Sequence, residues 1–260
     1  MEYRMSQIST KALNAFINKV DISFLSKYCN ISPEEASLRI QPTIDAVKSG
    51  HHVYQCIERA MFTVPRIDKH PQYFTHVKSR FPNVQLLELG CCFGTDARKF
   101  LQDGLPEDKL TVSDLHDAYW NIGKTILYKD ALDVDVLFLD FADKISLRKQ
   151  YDIISNQMIL HVLSKQQVEQ ILKNCFTQLN KNGFLFGSCI ATKEVNGVDW
   201  GKTPTLGLVG RAETSRYLHS KESLSDLLKQ IGFFQIDITE DTHWRENMPL
   251  LHFAALKNTM

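Results

Sequence analysis

Residues 84–94 read Val-Gln-Leu-Leu-Glu-Leu-Gly-Cys-Cys-Phe-Gly, and the order of structural signals in them decides the fold. Val84–Leu89 is a short, largely apolar run suited to a buried strand. Gly90 to Gly94 then forms a turn with glycine at both ends, and Ala97, Phe100 and Leu101 follow at helical spacing. Strand, tight turn and helix in that order form the opening unit of an open α/β sheet. In such a sheet ligands sit beyond the carboxyl ends of the strands, where backbone must come close to them. Glycine, lacking Cβ, permits that approach.

Downstream of this unit, short β-prone runs alternate with helical patterns, the signature of a mostly parallel sheet with crossover helices. Strands are predicted at Leu110–Ser113, Val134–Leu139, Asp152–Ser155, Phe184–Ile190, Phe234–Thr239 and Leu251–Leu256, seven with the first. A helix should start after Ser164, where Gln167 completes a capping box and Val168, Ile171, Leu172, Cys175, Phe176 and Leu179 share a face. Another should start near Ser220, carry Leu224, Leu227, Leu228 and Ile231 inward, and stop at Gly232. The last two strands have no helix-length pattern between them, so they should pair antiparallel. The expected fold class is α/β, a Rossmann-like seven-stranded sheet, mostly parallel, with an antiparallel last strand.

Upstream, residues 1–80 read as helical. Leu13, Phe16, Ile17, Val20 and Phe24 recur at helical spacing, and Ser32-Pro33-Glu34-Glu35 offers an N-cap, a first-turn proline and a capping-box acid. Pro42 is expected to limit that second helix. A third apolar pattern runs through Tyr54, Ile57 and Met61 to Pro65, and a short helix is expected around Tyr73, Phe74 and Val77. The predicted organisation is an N-terminal helical cap over 1–80 and an α/β domain over 81–260.

Composition narrows the classes of function. Hydrophobic residues make up 43% and charged residues 23% of 260, an ordinary globular balance. Lys plus Arg equals Asp plus Glu at 30 each, so no global field draws the chain to nucleic acid or to anionic membranes. No apolar run approaches the roughly 20 residues of a membrane span. Six cysteines without C-x-x-C spacing point to reduced thiols and a cytoplasmic protein. His51, His52 and Cys56 converge on a helical face, but no second cluster completes a metal site, and no metal is expected.

The turn resembles the E/D-x-G-x-G-x-G motif of class I methyltransferases, with Glu88, Gly90 and Gly94 on pattern and Cys92 in place of the middle glycine. A dinucleotide frame fails instead at Cys92 and Thr95. The resemblance implies S-adenosyl-L-methionine as cofactor. Asp114 ends the second predicted strand at the same sheet edge as Gly90, where a carboxylate can accept two hydrogen bonds from a ribose diol; Leu115 follows it. Asp140 and Phe141, after the third strand, fall where class I enzymes hold the adenine amino group and pack the base. Singly, each acid reads equally well as a helix cap and the ring as core. The three strand ends together favour a cofactor.

A closer resemblance rests on Glu-Leu-Gly-Cys-Cys-Phe-Gly-Thr-Asp at 88–96, with Asp103-Gly104, Asp114-Leu115 and Trp120-Asn121-Ile122-Gly123. These look like fungal methyltransferases of secondary-metabolite pathways, a group that includes carboxyl O-methyltransferases of meroterpenoid acids. Within that group Cys92 is a group feature, whereas Thr95 departs from a frequent glutamine. The resemblance implies direct methyl transfer to an oxygen of a small organic acceptor, with a carboxylic acid expected. A carboxylate is already anionic at neutral pH and needs positioning more than a base. For the acceptor side, His161 is the candidate catalytic contact, and Asn156 and Gln157 are candidate cofactor contacts. Trp200, Arg211 and Arg216, in a long connection between 190 and 220, are candidate substrate residues of a lid. Two alternatives stay open: N- or O-methylation of another small molecule, and a non-catalytic cofactor-binding interaction protein. The number of subunits is not readable.

Overall fold

The computed structural model of the chain describes residues 20–203, 214–241, 244 and 248–258. Leu13, Phe16 and Ile17 of the first expected helix lie outside them. The N-terminal elements are α1 (Ser23–Cys29), α2 (Pro33–Lys48) and the single turn α3 (Gln55–Glu58). Asp21 accepts from both the backbone N–H and the hydroxyl of Ser23 to start α1, and Asn30 ends it in the left-handed region. Ser32 Oγ accepts from Glu35 N at 3.2 Å to start α2.

Pro42 does not limit α2, which runs six residues further to Lys48. The reason is where the proline falls. Pro42 and Leu38 both face solvent, and it is the Leu38 carbonyl that loses its i+4 donor, so water can replace the missing bond. The next residue compensates in part, since Thr43 Oγ1 donates to the Arg39 carbonyl at 2.7 Å.

Seven strands form the main sheet: β1 (Leu86–Leu89), β2 (Leu110–Asp114), β3 (Asp135–Phe138), β4 (Tyr151–Gln157), β5 (Leu179–Ile190), β8 (Phe233–Asp241) and β9 (Leu250–Lys257). Their order is β3-β2-β1-β4-β5-β9-β8, and only β9 runs against the rest. The expected class and topology are therefore observed. Between the strands lie α4 (Thr95–Gln102), α5 (Asp117–Ile122), α6 (Lys165–Gln178) and α7 (Lys221–Ile231). The predicted capping box of α6 is present in both directions, Ser164 N to Gln167 Oε1 at 3.0 Å and Gln167 N to Ser164 Oγ at 3.3 Å. Gly232 ends α7 with φ 115°, as its position predicts.

Each sheet face buries its own apolar set. Val168, Ile171 and Leu172 of α6 and Leu224 and Leu228 of α7 cover one, against Leu87, Leu89 and Ile154. Ala97 and Phe100 of α4, with Ile67, Tyr73 and Val77, cover the other, against Leu86, Val112 and Ile153. A third cluster joins Phe24, Leu25, Ile40, Ile44 and Ile57 of the N-terminal helices to Phe93, Tyr119 and Leu127. The N-terminal helices thus pack directly on the glycine turn. Among the described residues no helix is long and apolar enough to cross a membrane.

The 191–219 connection is not the loop that its length suggested. Val198–Thr203 (β6) and Thr214–Leu218 (β7) pair antiparallel into a hairpin, which Tyr217 N ties to Leu163 O at 2.8 Å. Its central residues 204–213, Arg211 among them, lie outside the described set.

Candidate active site

In-register parallel pairing sets Leu89 beside Ser113 on one side and Asn156 on the other, so the ends of β1, β2 and β4 share one edge. There Gly90, Cys92 and Gly94 all adopt left-handed backbone, with φ 66°, 49° and 75°. At Gly94 a Cβ would sit 2.4 Å from the Trp120 ring, so glycine is required there for space as well as for φ. Cys92 accepts the same backbone with a side chain, at a cost of about 1 kcal/mol. What holds it is Asp114: Cys92 N donates to Asp114 Oδ2 at 2.8 Å and Leu115 N donates to Oδ1 at 2.7 Å. Each carboxylate oxygen keeps a further lone pair for a ligand hydroxyl. Burial raises the Asp114 pKa, and the two backbone donors work against that rise.

The far end of the turn is held by Arg98, which is fully buried. Its Nη1 donates to the carbonyls of Phe93 and Gly94, both at 2.9 Å. Its Nε and Nη2 form a fork on Asp130 at 2.7 and 2.8 Å. The guanidinium lies 3.9 Å over the Tyr128 ring. Asp96, on the first turn of α4, accepts from the backbone N–H groups of Arg66 and Ile67 at 2.6 and 3.3 Å, and burial pushes its pKa up to about 6. The N-terminal helices close on the same turn: Phe62 packs edge-on to Phe93 at 4.8 Å, and Tyr54 lies 6.2 Å from Tyr119. Tyr119 donates to His52 O at 2.8 Å. Burial, with the Asp114 charge adding to it, pushes the Tyr54 phenol up to about 12. Of the two histidines weighed above as metal ligands, His51 lies tilted 6.0 Å from the Tyr119 ring and His52 packs edge-on to Tyr54 at 4.5 Å.

Glu88 sits one residue below Leu89, 4% exposed, and its Oε2 has no hydrogen-bond partner. Burial, and then the Asp96 charge, holds its pKa well above the usual carboxylate range, with Arg98 opposing. A buried acid left half-satisfied is costly unless a donor or cation arrives to meet it.

On the neighbouring strand Asn156 is fully buried with both amide atoms unpartnered. Gln157 is engaged, accepting from Ser188 Oγ at 2.8 Å and donating to Ser155 Oγ at 3.3 Å. His161 stands beyond them on a 3₁₀ turn, Leu160–Val162, and its Nδ1 accepts from Ile190 N at 3.4 Å. After β3, Asp140 Oδ1 accepts from Ala142 N at 2.8 Å, and the Phe141 ring is packed in the core under α6. On the hairpin Trp200 is 45% exposed, and the buried Arg216 Nε has no partner. The fold thus brings Glu88, Gly90, Cys92, Gly94, Asp114 and Leu115 together around one turn. Asn156 and Gln157 lie on the adjacent strand, His161 follows them, and the Trp200 ring remains largely in solvent.

The geometry has a counterpart among known proteins. Residues 86–183, from β1 into β5, match the methyltransferase domain family. This match and the fold support a class I S-adenosylmethionine-dependent methyltransferase. It is 27% identical over 243 residues to the Asnovolin E/Chermesin D methyltransferase of Aspergillus novofumigatus, covering 90% of this chain and 84% of that one. It is 25% identical over 216 residues to an O-methyltransferase of a fungal species, covering 80% and 69%. The solved structure of 1,6-didemethyltoxoflavin-N1-methyltransferase from Burkholderia thailandensis, with its substrate and S-adenosylhomocysteine bound, aligns with a TM-score of 0.58 at 16% identity. That alignment covers 88% of this chain and 91% of that one.

The methyltransferase's residues fit its cofactor, since Glu88 Oε2 and the Asn156 amide are buried polar atoms awaiting partners beside a turn of open backbone. With the cofactor bound, Asp114 would accept from the ribose hydroxyls and Glu88 would meet the ammonium of the methionine moiety. When bound, S-adenosylmethionine supplies an electrophilic methyl group on a sulfonium. Sequence reasoning missed Arg98, Asp130, Asp96, Tyr54 and Tyr119. Of these only Asp96, inside the quoted 88–96 run, carried a local signal.

Proposed function

We propose that the methyltransferase esterifies a carboxylic acid of a small apolar metabolite, of the kind made in fungal secondary metabolism. The observation that carries the reading is the contact of His161, whose Nδ1 accepts from the Ile190 N–H at 3.4 Å; a neutral ring held this way would carry its proton on Nε2 and present that nitrogen as a donor. A hydrogen-bond donor suits an acceptor that is already anionic. A phenol or alcohol would instead require a base at this position. Transfer then needs only alignment of a carboxylate oxygen with the sulfonium methyl, a task of positioning. In this reading Asn156 and Gln157 would line the cofactor side, the N-terminal helices cap the turn, and Arg216 and Trp200 lie on the hairpin that Tyr217 ties to the chain after His161. The six free cysteines are in keeping with a reducing, cytoplasmic setting.

The test joins calorimetry to product analysis. Wild type should bind S-adenosylmethionine and S-adenosylhomocysteine, and Asp114→Ala should weaken both by about 100-fold, the worth of two charge-assisted hydrogen bonds. Product from a panel of organic acids should be a methyl ester, identified by mass and by release of methanol in alkali. Alkali-stable ethers or N-methyl products would sink the carboxylate reading while leaving the cofactor site intact.

A further inference from the structure

One cation at the sheet edge has no acceptor among the described residues. Arg66 is half-buried, and its backbone is fixed because Asp96 Oδ1 accepts from its N–H at 2.6 Å, which holds the residue at the start of α4 beside the glycine turn. Four residues on, the His70 ring meets the Phe253 carbonyl of β9 at 3.1 Å, so the segment lies across the sheet face at β9. Among the described residues the Arg66 guanidinium makes no hydrogen bond and no ion pair; its recorded contact is the Trp244 ring, 5.2 Å from the centroid. Trp244 comes from the connection between β8 and β9. Because β8 runs parallel to β5, that connection begins at the same carboxyl edge as the glycine turn. The indole Nε1 of Trp244 is buried and likewise lacks a partner among the described residues.

Two adjacent donors, one charged and one neutral, therefore lie at the carboxyl edge without an acceptor. An arginine presents a planar fork that matches a carboxylate, and stacking on an aromatic face leaves that fork weakly hydrated and ready for an anion. Trp Nε1 is a donor only, so it too asks for an oxygen. The buried indole N–H is expensive to retain without an oxygen to satisfy it, and the half-buried guanidinium beside it supplies the charge. Arg66 is reached by the chain before β1, on the opposite side of the sequence from the hairpin that carries Arg216.

We propose that Arg66 and Trp244 form a carboxylate receptor of the active site. Two carboxylates come near this edge, that of the acceptor acid and that of the cofactor's methionine moiety. The acceptor source rests on the carboxylic-acid reading above, and the cofactor source does not.

Arg66→Gln and Trp244→Phe separate the sources. Because the Arg66 side chain makes no hydrogen bond among the described residues, the variant should melt within about 2 °C of wild type. The probes are S-adenosylhomocysteine, 5′-methylthioadenosine, which lacks the amino-acid moiety, and benzoate against benzamide added to the S-adenosylhomocysteine complex. Benzoate binding is read from the Trp244 indole N–H resonance, assigned by its loss in Trp244→Phe. If the acceptor is the source, benzoate but not benzamide moves that resonance. Arg66→Gln then weakens the benzoate response by about tenfold or more, with S-adenosylhomocysteine affinity unchanged. If the cofactor is the source, Arg66→Gln weakens S-adenosylhomocysteine by about tenfold or more and leaves 5′-methylthioadenosine as in wild type. The proposal is overturned if S-adenosylhomocysteine binds wild type and Arg66→Gln alike and benzoate either leaves the indole resonance unmoved or moves it equally in both. Ether products from a hydroxyl acceptor would remove the carboxylic-acid reading alone, and the cofactor comparison would still decide the receptor.

Discussion

The edge formed by β1 and β2 and the edge formed by β4, β5 and β9 belong to one sheet and are finished to different degrees. On the first, the backbone of the turn is tied at both ends, to Asp114 at Cys92 and to Arg98 at Phe93 and Gly94. On the second, both amide atoms of Asn156, the Nδ1 of His252 and the indole of Trp244 are buried without partners among the described residues. The backbone of the turn is preorganised, whereas the second edge holds several buried polar atoms without partners among the described residues. This division suits a transferase whose cofactor is constant and whose acceptor must be recognised by what it brings. It predicts that breaking the first edge damages the fold, whereas changing the second alters binding.

The largest effect should follow from Asp130→Ala. Arg98 is fully buried, and the Asp130 fork is its only carboxylate partner within ion-pair distance among the described residues. Removing it strands a buried guanidinium, which costs about 3–5 kcal/mol. Urea denaturation should show the loss, and cofactor affinity should fall with it because Arg98 also fixes the carbonyls of the turn. A cost below about 1 kcal/mol would mean that the turn is held by Asp114 alone.

Under the second edge the expected effect is smaller and depends on pH. Burial depresses the His70 pKa from 6.5 to about 4, with His252 beside it, 5.3 Å between rings, adding to the effect; His219 is depressed to about 4 in the same way. A group whose folded pKa is depressed contributes stability that is fully present above the unfolded value and is lost as pH falls towards the folded one. The window is therefore pH 6.5 down to about 4, and each ring is worth roughly 3 kcal/mol across it. The cause is visible at His70, whose Nδ1 accepts from Gln72 N at 3.2 Å and loses that role once protonated. These two rings take up at most one proton each on unfolding over this window, against the opposite contribution of Glu88, Asp96 and Asp114, whose pKa values burial raises in the folded chain. His70→Gln, which keeps a donor for the Phe253 carbonyl, should therefore change the slope of stability against pH by close to one proton relative to wild type. An unchanged slope would place the acid sensitivity elsewhere.

How far the two edges could be read from the sequence differs for the same physical reason. The glycine turn, the acid at the end of β2 and the capping box at Ser164 are local, and each signal lies within a few residues of the group it positions. The antiparallel last strand was legible because no helix-length pattern lies between β8 and β9. The pairing of Arg66 with Trp244 spans most of the chain and leaves no periodic trace. Arg98 read as one more helical charge, because its partner lies 32 residues away. Two misreadings came from rules applied without burial. Pro42 failed to stop α2 because its missing bond falls on the solvent side, and the 191–219 connection was taken for a loop although Val198, Thr203, Thr214 and Tyr217 suit strands.

The smallest expected effect tests whether the first edge works through backbone alone. Cys92 contributes its N–H to Asp114, and that N–H survives any substitution that keeps φ near 49°. Cys92→Gly removes the cost of left-handed backbone, about 1 kcal/mol, and also removes the packing of a half-buried thiol, worth about the same. The two nearly cancel, so stability should shift by no more than about 0.5 kcal/mol and cofactor affinity by less than about threefold. Cys92→Val breaks the balance, because a β-branched side chain tolerates this backbone poorly. Its turn should relax, lengthen the bond to Asp114 and weaken the cofactor by about tenfold or more. Equal affinities in the glycine and valine variants would show that the turn's geometry is imposed by the Arg98 end, and would shift the preorganisation of this edge from Asp114 to the buried ion pair.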